Sequence, residues 1–98
     1  MTGMLVISHA GHDKNRMYFV IGNDGEFVML CDGKYRKLSN PKRKNIKHVT
    51  PVKNAPSEIL QLAGEEGSYT DEGIKRAIKT YAREHKGDTH LEENNVKG

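Results

Sequence analysis

The chain has 98 residues, 35% hydrophobic and 30% charged, which allows one small core and excludes two independent domains. No apolar run approaches the roughly 18 residues of a membrane span. The opening Met1-Thr2-Gly3-Met4-Leu5-Val6-Ile7 lacks the cationic lead and the apolar length of a signal peptide, so a cytoplasmic protein without a membrane partner is expected. The net charge of +3 is unevenly divided: residues 1–53 carry ten Lys/Arg and four Asp/Glu, and residues 54–98 carry six and nine. A basic first half predicts a polyanion partner there, unless those charges form only a solvated face.

The first half has short apolar runs cut by turn residues. Residues 4–7, 17–21 and 27–31 are about five residues each, rich in β-branched or aromatic side chains. That is strand length, too short for a helix. Residues 35–38 give a weaker fourth strand and 46–52 a fifth. Asn23-Asp24-Gly25 and Asp32-Gly33 separate the second, third and fourth runs. Asp-Gly favours tight hairpins, so Gly25 and Gly33 are expected to be structural and strands two to four to form an antiparallel meander. Five short strands within about 50 residues predict a small barrel, since closure removes sheet edges. Pro41 cannot donate to a ladder, and residues 39–45 are expected to be an exposed basic loop.

After Pro51 the pattern changes. Residues 57–64 have a capping Ser57, two helical turns and a terminal Gly64. Residues 70–85 form a stronger helix, with Thr70 as cap, Asp71 and Glu72 in its first turn, and Gly87 as stop. Ile74, Ala77, Ile78, Tyr81 and Ala82 recur at helical spacing and form one apolar stripe. That stripe needs a partner surface, most simply the open side of the barrel. The expected organisation is a barrel over 1–53, a helical appendage over 54–87 and a disordered polar tail over 88–98. The fold class is mainly β with C-terminal α: a five-stranded barrel, a short helix and a longer amphipathic one.

Between the first two strands lies the turn Ser8-His9-Ala10-Gly11-His12-Asp13-Lys14-Asn15-Arg16. Gly11 marks a bend or a close approach, and His12, Lys14, Asn15 and Arg16 are candidate donors to phosphate. Val6, Ile7, Gly11, Asp13, Tyr18, Val20 and Ile21 together resemble the KOW motif of ribosomal proteins and transcription elongation factors. Asp32-Gly33-Lys34 and Pro41-Lys42-Arg43-Lys44-Asn45-Ile46-Lys47-His48-Val49 extend the likeness. They look like the small KOW-domain proteins of anaerobic Gram-positive bacteria, themselves similar to large-subunit ribosomal proteins of archaea and eukaryotes. The resemblance covers residues 3–52. It implies an SH3-like barrel that binds RNA, with ribosomal RNA and ribosomal or transcription proteins as partners.

Arg36, Lys37, Lys42, Arg43, Lys44 and Lys47 lie within thirteen positions that hold no acidic residue. Such charges bind phosphates by releasing counterions, without regard to sequence. Tyr18 and Tyr35 are candidates to stack on bases if exposed. Metal binding is not expected: His9 and His12 are three apart, whereas zinc needs three or four converging ligands. Catalysis and cofactors are not expected either. There is no Gly-x-Ser-x-Gly and no phosphate-binding glycine loop. Cys31 sits in an apolar strand as an inert thiol, and Glu65, Glu66, Asp71 and Glu72 surround a helix start. The reading is a non-catalytic RNA-binding module; the alternative is a protein-interaction adaptor barrel without direct RNA contact.

Overall fold

The computed structural model describes residues 1–85. Five strands, β1 (Leu5–Ser8), β2 (Met17–Asp24), β3 (Phe27–Cys31), β4 (Lys42–Asn45) and β5 (Val49–Pro51), form one antiparallel sheet in the order β4-β3-β2-β1-β5. The β2–β3 hairpin closes on Gly25-Glu26, with Asp24 opposite Phe27 and Gly25 at φ +63°. The expected turn is therefore present, with glycine first in the two-residue loop. The β2–β3 register shifts between Val20 and Gly22, an irregularity of the kind that bends a strand.

Strand alternation sorts the apolar residues onto two faces. Leu5 pairs with Phe19, and Phe19 with Cys31; this row joins Met17 and the helices in one cluster. Val6 pairs with Tyr18, and Val20 with Leu30; this row forms a second cluster with Val28 and Val49. Among the described residues no helix residue belongs to this second cluster, yet Val6, Val20, Val28 and Leu30 are 0% exposed. The two edge strands, β4 and β5, are joined only by a 3₁₀ turn over Ile46–His48.

Helix α1 (Ser57–Leu60) runs into a 3₁₀ turn, Gln61–Ala63, and α2 spans Asp71–Glu84. The Thr70 hydroxyl accepts from the Gly73 amide at 2.9 Å, the expected cap. Ile74, Ala77, Ile78, Tyr81 and Ala82 are all buried, and they meet Leu5, Met17, Phe19 and Cys31. The helices therefore complete a core on the sheet face opposite the Val6, Val20, Val28 and Leu30 cluster. At the start of α1, Pro56 rather than Ser57 occupies the capping position and supplies no side-chain bond. Gly87 and the tail 88–98 lie outside the described residues.

Two strand expectations are corrected. Residues 35–38 are not a strand, and the fourth strand is Lys42–Asn45, within the segment expected to be a loop. Pro41 stands just before β4, where its missing N–H breaks no ladder. The β3–β4 connection is accordingly residues 32–41 and not a tight Asp-Gly hairpin. The expected fifth strand, 46–52, shortens to Val49–Pro51 because residues 46–48 form the 3₁₀ turn.

Candidate nucleic-acid interface

Asp13 is the hub from which the basic residues are arranged. It lies in a short 3₁₀ turn, Gly11–Asp13, in the β1–β2 loop, and is 6% exposed. Lys44 Nζ donates to Asp13 Oδ1 at 2.8 Å and to the Ala10 carbonyl at 2.9 Å. Ser8 Oγ donates to the same carboxylate oxygen at 3.1 Å, and Lys42 Nζ stands 3.5 Å from Oδ2. Burial alone would raise the carboxyl. The hydrogen bonds from Lys44 and Ser8, and the charges of Lys44 and Lys42, outweigh it and hold Asp13 at about 2. Tyr18 lies beside the cluster, 4% exposed. Burial first, and the Asp13 carboxylate next, push its phenol well above the usual range.

The β-strand conformation of residues 42–45 divides the cations by parity. Lys42 and Lys44 pair with Leu30 and Val28 and share their face, pointing to Asp13. Arg43 takes the opposite face. Its guanidinium lies 3.8 Å from the Phe27 ring centroid and 3.7 Å from Asp24. The segment is thus split between a brace on the buried Asp13 carboxylate and a separate cation on the hairpin side. Lys47 is exposed in the 3₁₀ turn that follows.

The strands alternate in direction, so the β1–β2 loop and the β3–β4 loop leave the same end of the sheet. Arg16 from the first lies 5.4 Å from the Tyr35 ring of the second, and Lys34 Nζ is 5.0 Å from that ring. Tyr35 is 68% exposed. Its loop is braced by Asp32, whose Oδ1 accepts from the amides of Lys34, Tyr35 and Arg36 at 2.8–2.9 Å. Gly33 is buried at φ +78°, with the Asp71 carbonyl and the Lys75 amide nitrogen where a Cβ would point. The Leu38 amide donates to Asp71 Oδ1 at 2.8 Å. Gly33 is therefore structural because it lets the loop seat on the first turn of α2, not because it closes a hairpin.

The β1–β2 loop brings together His12, Lys14 and Asn15, all exposed, with Arg16 partly so. Gly11, at φ +83°, lies in the turn that presents Asp13, and Asn15 is left-handed at φ 72°. His48 joins this surface, its carbonyl accepting from the His9 amide at 3.0 Å. Lys37 is exposed and Arg36 partly buried in the β3–β4 loop. Lys34 was missed in the sequence, although it adjoins the Asp-Gly pair. Also missed was an exposed stripe on α2, Arg76, Lys79 and Arg83, hidden there by the net acidity of the second half.

Cys31 is buried, and that burial, together with Asp71 and Asp32, pushes its thiol up to about 11. It is a poor nucleophile at neutral pH. Among the described residues no group of three or more His, Cys, Asp or Glu is placed to hold a metal ion, and no helix is long and apolar enough to cross a membrane. The surface can offer cations, backbone amides and one exposed aromatic face to a partner. The chain matches no protein-family model, and no curated protein is significantly similar to it in sequence.

Proposed function

We propose that this chain is a non-catalytic RNA-binding module, an SH3-like barrel of the KOW type with two helices on its outer face, working in association with the ribosome or translation. The antiparallel order β4-β3-β2-β1-β5 and the full burial of Val6, Val20, Val28 and Leu30 on the face away from the helices support the barrel reading. The observation that carries the function is the pairing of two loops at one end of the sheet. There the exposed Tyr35 has Arg16 at 5.4 Å and Lys34 at 5.0 Å from its ring, and the loop that carries Arg16 also carries exposed His12 and Lys14. Cations with an exposed aromatic are the combination that RNA rewards: phosphates take the charges and bases take the ring. Lys42 and Lys44 shape the site by holding the β1–β2 loop, while Lys14, Arg16, Lys34, Lys37 and Lys47 face the polyanion.

Ultraviolet crosslinking in cells, followed by sequencing of the attached RNA, tests this reading against the adaptor alternative. The expected result is a covalent protein–RNA adduct concentrated on structured RNA. Absence of any adduct above background, with chemical crosslinking joining the chain only to transcription or translation proteins, would favour the adaptor.

A further inference from the structure

We propose that Tyr35 is a platform for one unpaired base, so that the RNA recognised presents a loop, bulge or single-stranded junction. This rests on the RNA-binding reading and narrows its ligand. A large aromatic that is 68% exposed makes little contribution to the core, yet the loop beneath it is held from several directions. Asp32 Oδ1 takes three consecutive amides, and the Arg36 carbonyl accepts from Asp32 at 2.9 Å and from Gly33 at 3.1 Å. Gly33 packs on α2, and Asp71 takes the Leu38 amide. A ring presented on such a pedestal loses little conformational freedom on binding.

The charges beside the ring fit the same ligand. Arg16 and Lys34 come from different loops and border the ring at 5.4 and 5.0 Å, within cation–π range. They are placed to take the phosphates that flank a stacked base. Inside an A-form duplex the base faces are already stacked and the major groove is too narrow for side chains, so only unpaired bases can offer a face to Tyr35. Lys14 and His12 in the neighbouring loop add contacts that do not depend on pairing.

The test measures binding to two labelled RNAs, a hairpin with an adenosine loop and a blunt duplex of the same stem, by fluorescence anisotropy. The proteins are the full chain, Tyr35→Leu and Tyr35→Phe, with circular dichroism to verify the fold. Tyr35→Leu is expected to weaken hairpin binding about 5- to 150-fold, to leave duplex binding and the salt slope unchanged, and Tyr35→Phe to restore affinity. Equal hairpin binding by parent and Tyr35→Leu would overturn the platform while leaving RNA binding standing. An equal loss on hairpin and duplex would overturn the preference for unpaired bases. Failure of the parent to bind either RNA would overturn both this inference and the reading beneath it.

Discussion

Lys44 Nζ lies 2.8 Å from Asp13 Oδ1, and the bond ties edge strand β4 to the β1–β2 loop, 31 residues earlier in the chain. The lysine side chain is 10% exposed and the aspartate 8%. A cation that reads in sequence as a phosphate contact is thereby committed to the fold. Both charges have lost most of their water, so removing one partner leaves the other uncompensated. Asp13→Asn should destabilise the protein by about 3 kcal/mol, measured as a lower urea midpoint at constant m-value. Unchanged stability would mean that the pair is dispensable.

The same pair makes stability depend on acid. Asp13 is held at about 2 in the folded chain, against 3.8 as the unperturbed value. A lowered folded value means that the unfolded state takes up the proton first, so stability is fully present above pH 4 and drains away as pH falls toward 2. A shift of this size corresponds to about 2 kcal/mol. Urea titrations across that window should show the loss in the parent and a flatter response in Asp13→Asn. Parallel profiles would assign the acid limb to other carboxylates.

Two glycines in turns should behave differently. Gly33→Ala meets both a left-handed backbone, φ +78°, and the Asp71 carbonyl and Lys75 nitrogen of α2. Gly25→Ala meets a left-handed backbone alone, φ +63°, with nothing within 4 Å. The strain by itself is worth about 1–2 kcal/mol, and forcing a group into a packed contact adds about 1–3 kcal/mol. Thermal melts should rank Gly33→Ala well below Gly25→Ala; equal melting temperatures would contradict the docking of the loop on the helix.

Ending the chain at Lys53 should unfold it. Leu5, Phe19 and Cys31 are 0% exposed and Met17 3%, and the cluster that covers them includes Ile59, Ile74, Ile78 and Tyr81. Exposing side chains of this kind costs about 1.5–3 kcal/mol each, which approaches the whole stability of about 5–15 kcal/mol for a small domain. A cooperative thermal transition in the shortened chain would show that the sheet holds its core alone.

The sequence was most legible where local chemistry decides the outcome. Thr70 and the stripe from Ile74 to Ala82 determine α2 through capping and period, and Gly25 determines its hairpin through φ. Residues 42–45 were misread because Lys-Arg-Lys-Asn has no apolar alternation. Their strand comes from pairing with Phe27, Val28, Met29 and Leu30, and from a buried carboxylate elsewhere in the chain. Asp32-Gly33 was misassigned for a related reason. A positive φ and an acceptor side chain serve a hairpin and a braced loop equally, and only the distant first turn of α2 separates the two. Of the basic residues, composition showed their number but not their parity on β4. Replacing Lys42, Arg43 and Lys44 together would therefore disturb the fold through Asp13.

The most direct test of RNA binding through the paired loops is the salt dependence of affinity for a structured RNA, compared between the parent and the triple variant Lys14→Ala, Lys34→Ala, Lys37→Ala. All three side chains are exposed, and such surface changes alter stability by only about ±0.5 kcal/mol. Each lost phosphate contact lowers the slope of log affinity against log salt by about 0.7–0.9. The account predicts a steep slope for the parent and a decrease of up to about 2–2.7 in the variant, with the melting temperature retained. A parent whose RNA affinity does not respond to salt, or a variant with the parent's slope and affinity, would contradict it.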